Sequence, residues 1–234
     1  MVDKIAVSAA EAVSVIEDGS VVLIGGFGSA GSPVDLVHAL IDQGTKDLVV
    51  VNNNTGNGQV GLAALIANGQ VRKMICSYPR STFSKVFPEL YRAGKIELEL
   101  VPQGTLAERM RAGAAGIPAF YTPTGFGTVI ADKRETREFN GVPCVMEEAL
   151  VADYSFVKAW KGDAHGNLVF RKTARNFNPM MAMAGKITIA EVEEVVPAGE
   201  LDPDQVHTPG IFVQRVIKAS SYEKPIEQRT VTER

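Results

Sequence analysis

"VVLIGGFGSAGSPVDLVHAL", residues 21–40, decides how the rest of the chain is read. Four apolar residues that suit a strand run into Gly26-x-Gly28-x-x-Gly31. A segment of helical period follows, with Leu36, Val37, Leu40 and Ile41 on one stripe and Gly44 as its stop. Strand, glycine turn and helix in this order form the layout of a dinucleotide-binding turn. That reading also needs an Asp or Glu at the end of the second strand, to hold the ribose hydroxyls. Here the second strand candidate, LVVV, ends in Asn52-Asn53-Asn54, and the nearby Asp47 stands at its beginning. Without that acid, the glycine pattern fits equally a tight turn that binds nothing or a turn that serves another ligand.

Working outward, apolar runs alternate with helix-period segments. Ser8-x-x-Glu11 predicts a capping box before a helix carrying Ala9, Val13 and Ile16, stopped by Asp18-Gly19. A strand over 20–24 follows, and Ser32 is expected to cap the next helix with Pro33 in its first turn. Then come helix VGLAALIANG, strand VRKMIC, helix SKVFPELYRAG with a kink expected at its proline, and strand KIELELV. Thr105-x-x-Glu108 suggests a second capping box. This alternation predicts an α/β fold, a three-layer α/β/α sandwich on a mostly parallel sheet, whose ligands bind outside the carboxyl ends of the strands. From about residue 117 the texture changes. IPAFYTPTGFGT reads as a proline- and glycine-rich loop, and ETREFN, VPCVME, DYSFVKAW, NLVF, KITIAEVEEVV and IFVQRVI read as additional strands. No linker or repeat divides the chain, so residues 1–234 are expected to form one domain, with SYEKPIEQRTVTER as a tail or partner-binding arm.

Composition narrows the function classes. With 45% hydrophobic and 22% charged residues and a net charge of −3, the chain reads as globular, with no basic field for nucleic acid or an anionic membrane. No signal sequence or spanning segment is evident, and a cytoplasmic location is expected. Cys76 and Cys144 sit in apolar contexts without ligand spacing and read as buried, reduced thiols. His38, His165 and His207 are scattered, which gives a zinc site no support, and no GxSxG elbow points to a serine hydrolase.

Beyond the glycines, "DGSVVLIGGFGSAGSP", residues 18–33, resembles the signature of family I coenzyme A transferases. The similarity continues through "NNNTGNGQVGLAALI", "CSYPR", "LYRAGKIELELVPQGTLAERMRAG", "PAFYTPTGFGT", "ETREFNG", "VKAWKGDAHGNLVFRKTARNFNP" and "TPGIFVQRV". The resemblance is to the alpha-type subunits of the succinyl-CoA:3-oxoacid group. A short "VIADKR" link and "CSYPR" resemble the 3-oxoadipate branch, whereas "YEKPIEQRTV" resembles the acetoacetate branch.

That resemblance implies ping-pong transfer through a glutamate carboxylate carried by a B-type partner in an A2B2 assembly. The coenzyme A thioester is then a substrate, and no permanent cofactor or metal is implied. No Ser-Glu-Asn-Gly segment of the kind that carries the nucleophile occurs here, and Phe139-Asn140-Gly141 lacks the acid. Glu147 and Glu148 read as structural acids. The resemblance assigns Asn53, Asn54 and Gln103, each after a strand, as neutral amide contacts for a carboxylate or oxyanion. It assigns Gly25, Gly26, Phe27, Gly28 and Gly31 to the loop that meets the acyl and pantetheine groups. Arg80, after the third strand of the alternation, is the candidate reader of a distal carboxylate. Arg171, Lys172 and Arg175 are candidates for coenzyme A phosphates or the partner surface.

Overall fold

The computed structural model describes residues 3–81 and 84–220; the tail SYEKPIEQRTVTER lies outside the described residues. The first half runs α1 (Ala9–Val13), β1 (Val21–Ile24), α2 (Val34–Gln43), β2 (Leu48–Val51), α3 (Leu62–Ala67), β3 (Val71–Cys76), α4 (Val86–Arg92), β4 (Glu97–Leu100) and α5 (Gln103–Ala114). Next come β5 (Ala119–Thr122), β6 (Thr136–Phe139) and β7 (Val142–Glu148). The last part holds β8 (Ala152–Asp163), β9 (Leu168–Val169), α6 (Asn178–Ala184), β10 (Gly185–Val196) and β11 (Arg215–Lys218). The large sheet is ordered β11-β10-β8-β1-β2-β3-β4, with every pair on that path parallel and β9 antiparallel on β8.

Successive side chains of a strand point to opposite faces, and a parallel sheet needs both faces covered. Val22, Ile24, Val50 and Met74 accordingly pack with Leu36, Leu40, Leu65 and Phe87 beneath α1–α4. Leu23, Val49, Val51 and Ile75 turn the other way, onto Leu106 and Met110 of α5 and Met181 of α6. This is the expected α/β/α sandwich. It places the ends of β1 to β4 side by side along one edge.

Several local expectations change. Residues 119–122, read as loop, form strand β5, which with β6 and β7 makes a separate antiparallel sheet ordered β5-β7-β6. Of the additional strands, ETREFN and VPCVME belong to that small sheet, whereas DYSFVKAW and KITIAEVEEVV join the parallel one. In IFVQRVI, Ile211 and Phe212 complete a 3-10 turn that starts at Gly210, and only the end is strand. Helix α6 was not foreseen, although Asn178-Pro179 is a helix-start signal. Ser8 does cap α1, its Oγ accepting from Glu11 N–H at 3.1 Å, and Glu11 reaches back to Val7 N–H at 2.7 Å; the helix stops at Val13, before Asp18-Gly19. Ser32 does not cap α2: Pro33 holds the N-cap position, and Ser32 instead takes Val34 N–H on its carbonyl. The Thr105 box does not form, because α5 begins at Gln103 and the buried Thr105 hydroxyl lies inside the first turn without a partner. Pro88 sits in the first turn of α4, where its missing N–H costs no hydrogen bond.

Candidate functional site

Asn52, Asn53 and Asn54 leave β2 as a pair of side-chain turns. Asn52 Oδ1 accepts from Asn54 N–H at 2.8 Å, and Asn54 Oδ1 from Gly56 N–H at 2.7 Å. Asn52 Nδ2 donates to Ile24 carbonyl at 2.6 Å, tying β2 to β1. Asn53 points the opposite way along the edge. Its Nδ2 donates to Ser77 Oγ at 2.8 Å, at the end of β3, and to Gln103 Oε1 at 2.9 Å, at the start of α5. Both of its amide hydrogens are therefore used. Gln103 is exposed, and with its oxygen held by Asn53 its Nε2 makes no hydrogen bond among the described residues and is left as an open donor. Asn54 Nδ2 makes a long 3.4 Å contact to Gly28 carbonyl, so Asn54 belongs to a small cleft with Gly28, Ser32 and Asn57. The fold thus brings Asn53 together with Gln103, and Asn54 together with the glycine turn.

The turn itself is held from behind by three consecutive residues. Gly25 N–H extends β1 onto β8 by donating to Phe156 carbonyl at 2.8 Å, and Phe27 and Ala30 exchange backbone hydrogen bonds. Asn176 Nδ2 donates to Ala30 carbonyl at 3.0 Å, and Asn178 Nδ2 to Gly31 carbonyl at 3.1 Å. Phe177 lies parallel to Phe27 with ring centroids 6.5 Å apart. Asn178, fully buried, also accepts Lys158 N–H at 2.9 Å. A Cβ on Gly25 would stand 1.9 Å from Asn178 Oδ1, and one on Gly31, at φ +72°, 2.5 Å from Ala174 carbonyl. Close packing alone thus demands both glycines, whatever the turn binds.

The amino end of α2 is already taken. Glu191 Oε2, from β10, accepts Leu36 N–H at 3.1 Å, and Lys158 Nζ binds Glu191 Oε1 at 2.7 Å with both side chains at most 2% exposed. Burial raises the Glu191 carboxyl, and the Lys158 ammonium opposes that rise. A dinucleotide fold puts pyrophosphate at this helix end. An internal carboxylate occupying it, together with the missing acid after β2, excludes that reading.

Arg80 does not touch the amide pair. It lies in an open basin of about 580 Å3 between the end of β3 and α4, shared with Tyr78, Lys85 and Arg92. Glu147 is buried and ion-paired with Arg134, and Glu148 is exposed on the small sheet. Arg171 pairs with Glu193 at 2.9 Å and stacks on Trp160, while Lys172 and Arg175 stand exposed on a 3-10 turn. Cys76 and Cys144 are buried free thiols, and burial pushes Cys76 up to about 12. Asn176, Phe177, Asn178 and the Lys158–Glu191 pair were missed from sequence. The polar–aromatic–polar string before Pro179 was the available signal.

Known proteins resemble this chain in sequence and in fold. The A-type subunit of the 3-oxoadipate CoA-transferase of Pseudomonas putida is 56% identical over 94% of this chain and 95% of its own length. The A-type subunit of the probable succinyl-CoA:3-ketoacid coenzyme A transferase of Bacillus subtilis is 56% identical over 97% and 95%. Among solved structures, an acyl-CoA transferase from Escherichia coli O157:H7, in a thioester complex with CoA, superposes with a TM-score of 0.83 at 23% identity. It covers 94% of this chain, which spans 48% of that longer one. Glutaconate coenzyme A-transferase from Acidaminococcus fermentans gives 0.80 at 21% identity, over 92% and 75%. Both likenesses concern the fold. The profile of the coenzyme A transferase family matches residues 6–219, and the chain belongs to that family.

Proposed function

We propose that the chain is the A-type subunit of a transferase that moves coenzyme A from succinyl-CoA to a 3-oxoacid, 3-oxoadipate first and acetoacetate next. The observation that carries the reading is the Asn53–Gln103 couple, a neutral amide presented on the open edge of a fold whose curated relatives are named as A-type subunits of such enzymes. A carboxylate nucleophile loses reactivity when clamped by a cation. An oriented amide holds the free acid and the developing oxyanion without that penalty.

In this scheme the nucleophile is a glutamate of the B-type partner. Its carboxylate attacks the thioester carbonyl, giving a mixed anhydride and free thiolate. The thiolate then attacks the glutamyl carbonyl, releasing succinate and leaving a glutamyl thioester, and the acceptor acid runs the same steps in reverse. The chain supplies Gln103 Nε2 as donor, Asn53 to orient it, and Asn54 with Gly25, Gly26, Phe27, Gly28 and Gly31 as the wall along the acyl and pantetheine groups. Arg80 reads a distal carboxylate. Residues 1–234 act as one unit in a cytoplasmic A2B2 assembly, and coenzyme A enters and leaves as substrate.

The test is co-production with a candidate B-type partner and measurement of thioester exchange between succinyl-CoA and 3-oxoadipate or acetoacetate. Exchange in the complex and none with either chain alone is expected. Turnover by the chain alone overturns the assignment of the nucleophile.

A further inference from the structure

The basin beside Arg80 holds more charge than a single arginine. It is lined by Arg80, Lys85 and Arg92, with the hydroxyl residues Ser81 and Ser84 and one acid, Glu89. Lys85, at the N-cap of α4, recurs at helical spacing with Glu89 and Arg92 of that helix, so one side of it carries all three. None of the three cations has an ion-pair partner among the described residues, whereas Arg72, Lys73, Arg109, Arg111, Lys161 and Lys186 all do. One glutamate against three cations leaves net positive charge in a chain whose formal charge is −3.

The wall of the basin is built onto the amide row. Tyr78 pairs with Asn54 in an isolated parallel bridge, and its N–H donates to Asn53 carbonyl at 2.9 Å. Thr55 Oγ1 donates to Pro79 carbonyl at 2.8 Å and lies 3.0 Å from Ser84 Oγ, while Ser81 Oγ donates to Asn57 Oδ1. The loop that carries the amides and the loop that carries Arg80 are thus laced together. Tyr78, which lines the basin, bonds Asn53, the residue that holds Gln103.

We propose that the basin is a subsite for the free carboxylate of dicarboxylic acyl groups, used in turn by donor and acceptor, with Lys85 and Arg92 acting beside Arg80. The proposal rests on the transferase reading above and deepens it. A ping-pong enzyme brings donor and acceptor carbonyls to one point. A succinyl group carries its free carboxylate closer to that point than a 3-oxoadipyl group does. One anchored cation would suit a single reach, whereas three long side chains with no ion-pair partners among the described residues can follow both. Charge-assisted contacts, bidentate for the arginines, supply the selectivity against monocarboxylic acids.

The experiment uses the assembled enzyme with Lys85→Gln, Arg92→Gln and the double variant, all at exposed positions. The ratio of kcat/KM for 3-oxoadipate to that for acetoacetate should fall about tenfold for each charge removed and about a hundredfold in the double variant, mostly through KM. Equal losses for both acceptors assign the cations to coenzyme A phosphates and overturn the proposal, as does no loss for either. If the wild-type assembly turns over no 3-oxoacid, the transferase reading fails by itself. The basin is then tested by calorimetry with glutarate against butyrate. Glutarate binding that the double variant loses supports the subsite, and equal or absent binding of the two acids overturns it.

Discussion

Asn53 spends both amide hydrogens inside the chain, so the donor left for a substrate is Gln103 Nε2. Gln103→Ala in the assembled enzyme should therefore lower kcat by about a hundredfold or more, the usual consequence of losing one preorganised donor. Asn53→Ala should fall by a smaller factor, since Gln103 keeps its amide and loses only its orientation; turnover measured on complexes of unchanged size checks both. Arg80→Ala should cost roughly ten- to hundredfold in kcat/KM for 3-oxoadipate and much less for acetoacetate, and an equal loss for both acceptors would remove Arg80 from specificity. Cys76, with its thiol pushed up to about 12 by burial, should resist alkylation in the folded chain. That Asn53 and Gln103 stand along one edge of the sheet was legible in the sequence, because each follows a strand of an alternating pattern. Which of their atoms stay open was not. That depends on Asn53 meeting a partner fifty positions away across the end of β3, a pairing that no local pattern encodes.

At the scale of elements, the glycine turn and the string Asn176-Phe177-Asn178 form one packed unit. Gly25→Ala should destabilise the chain by roughly 1–3 kcal/mol through overpacking against Asn178. Because the clashing atom belongs to a side chain, the double variant Gly25→Ala/Asn178→Ala should lose less than the sum of the two single losses, as measured by denaturant melts. Glu99 on β4 gives a pH signature. Burial alone would raise its carboxyl, but hydrogen bonds from Lys73 and Arg109 outweigh that and hold it below the ordinary range. An acid lowered in the folded state contributes stability above its unfolded value, and that contribution is lost as pH falls through the lowered folded value. Glu99→Gln should accordingly flatten the acid limb of a stability-versus-pH curve. A limb identical to wild type would mean that the triad adds nothing. The parallel elements were legible because β1 and β2 are apolar on both faces, and β3 closes on the apolar run Met74-Ile75-Cys76. The helix starts at Ser32 and Thr105 were misread because capping was assigned from local spacing, whereas prolines set both starts and a distant strand satisfies α2.

For the whole molecule, the small sheet β5-β7-β6 leaves Phe139 and Val142 exposed, and the connection between β5 and β6 leaves Phe126 and Val129 exposed. Apolar surface gathered in this way marks an interaction face. The chain alone should therefore self-associate as well as lack activity, and light scattering should show a monodisperse species only once a B-type partner is present. A stable monomer of the isolated chain would count against this. The sheet's existence was half legible: its strands alternate like any others, and their short, exposed pattern gave no sign that they would leave the main sheet.

The carboxylate of Glu191 at the head of α2 acts as a tethered anion. Glu191→Gly would leave a carboxylate-sized hole between the Lys158 ammonium and the Leu36 amide, and breaking a buried pair in this way should cost about 3–5 kcal/mol. Such a hole invites chemical rescue. Formate, which fits it, should raise the melting temperature of the Glu191→Gly variant in a saturable way while leaving wild type unmoved, and chloride at equal ionic strength should do less.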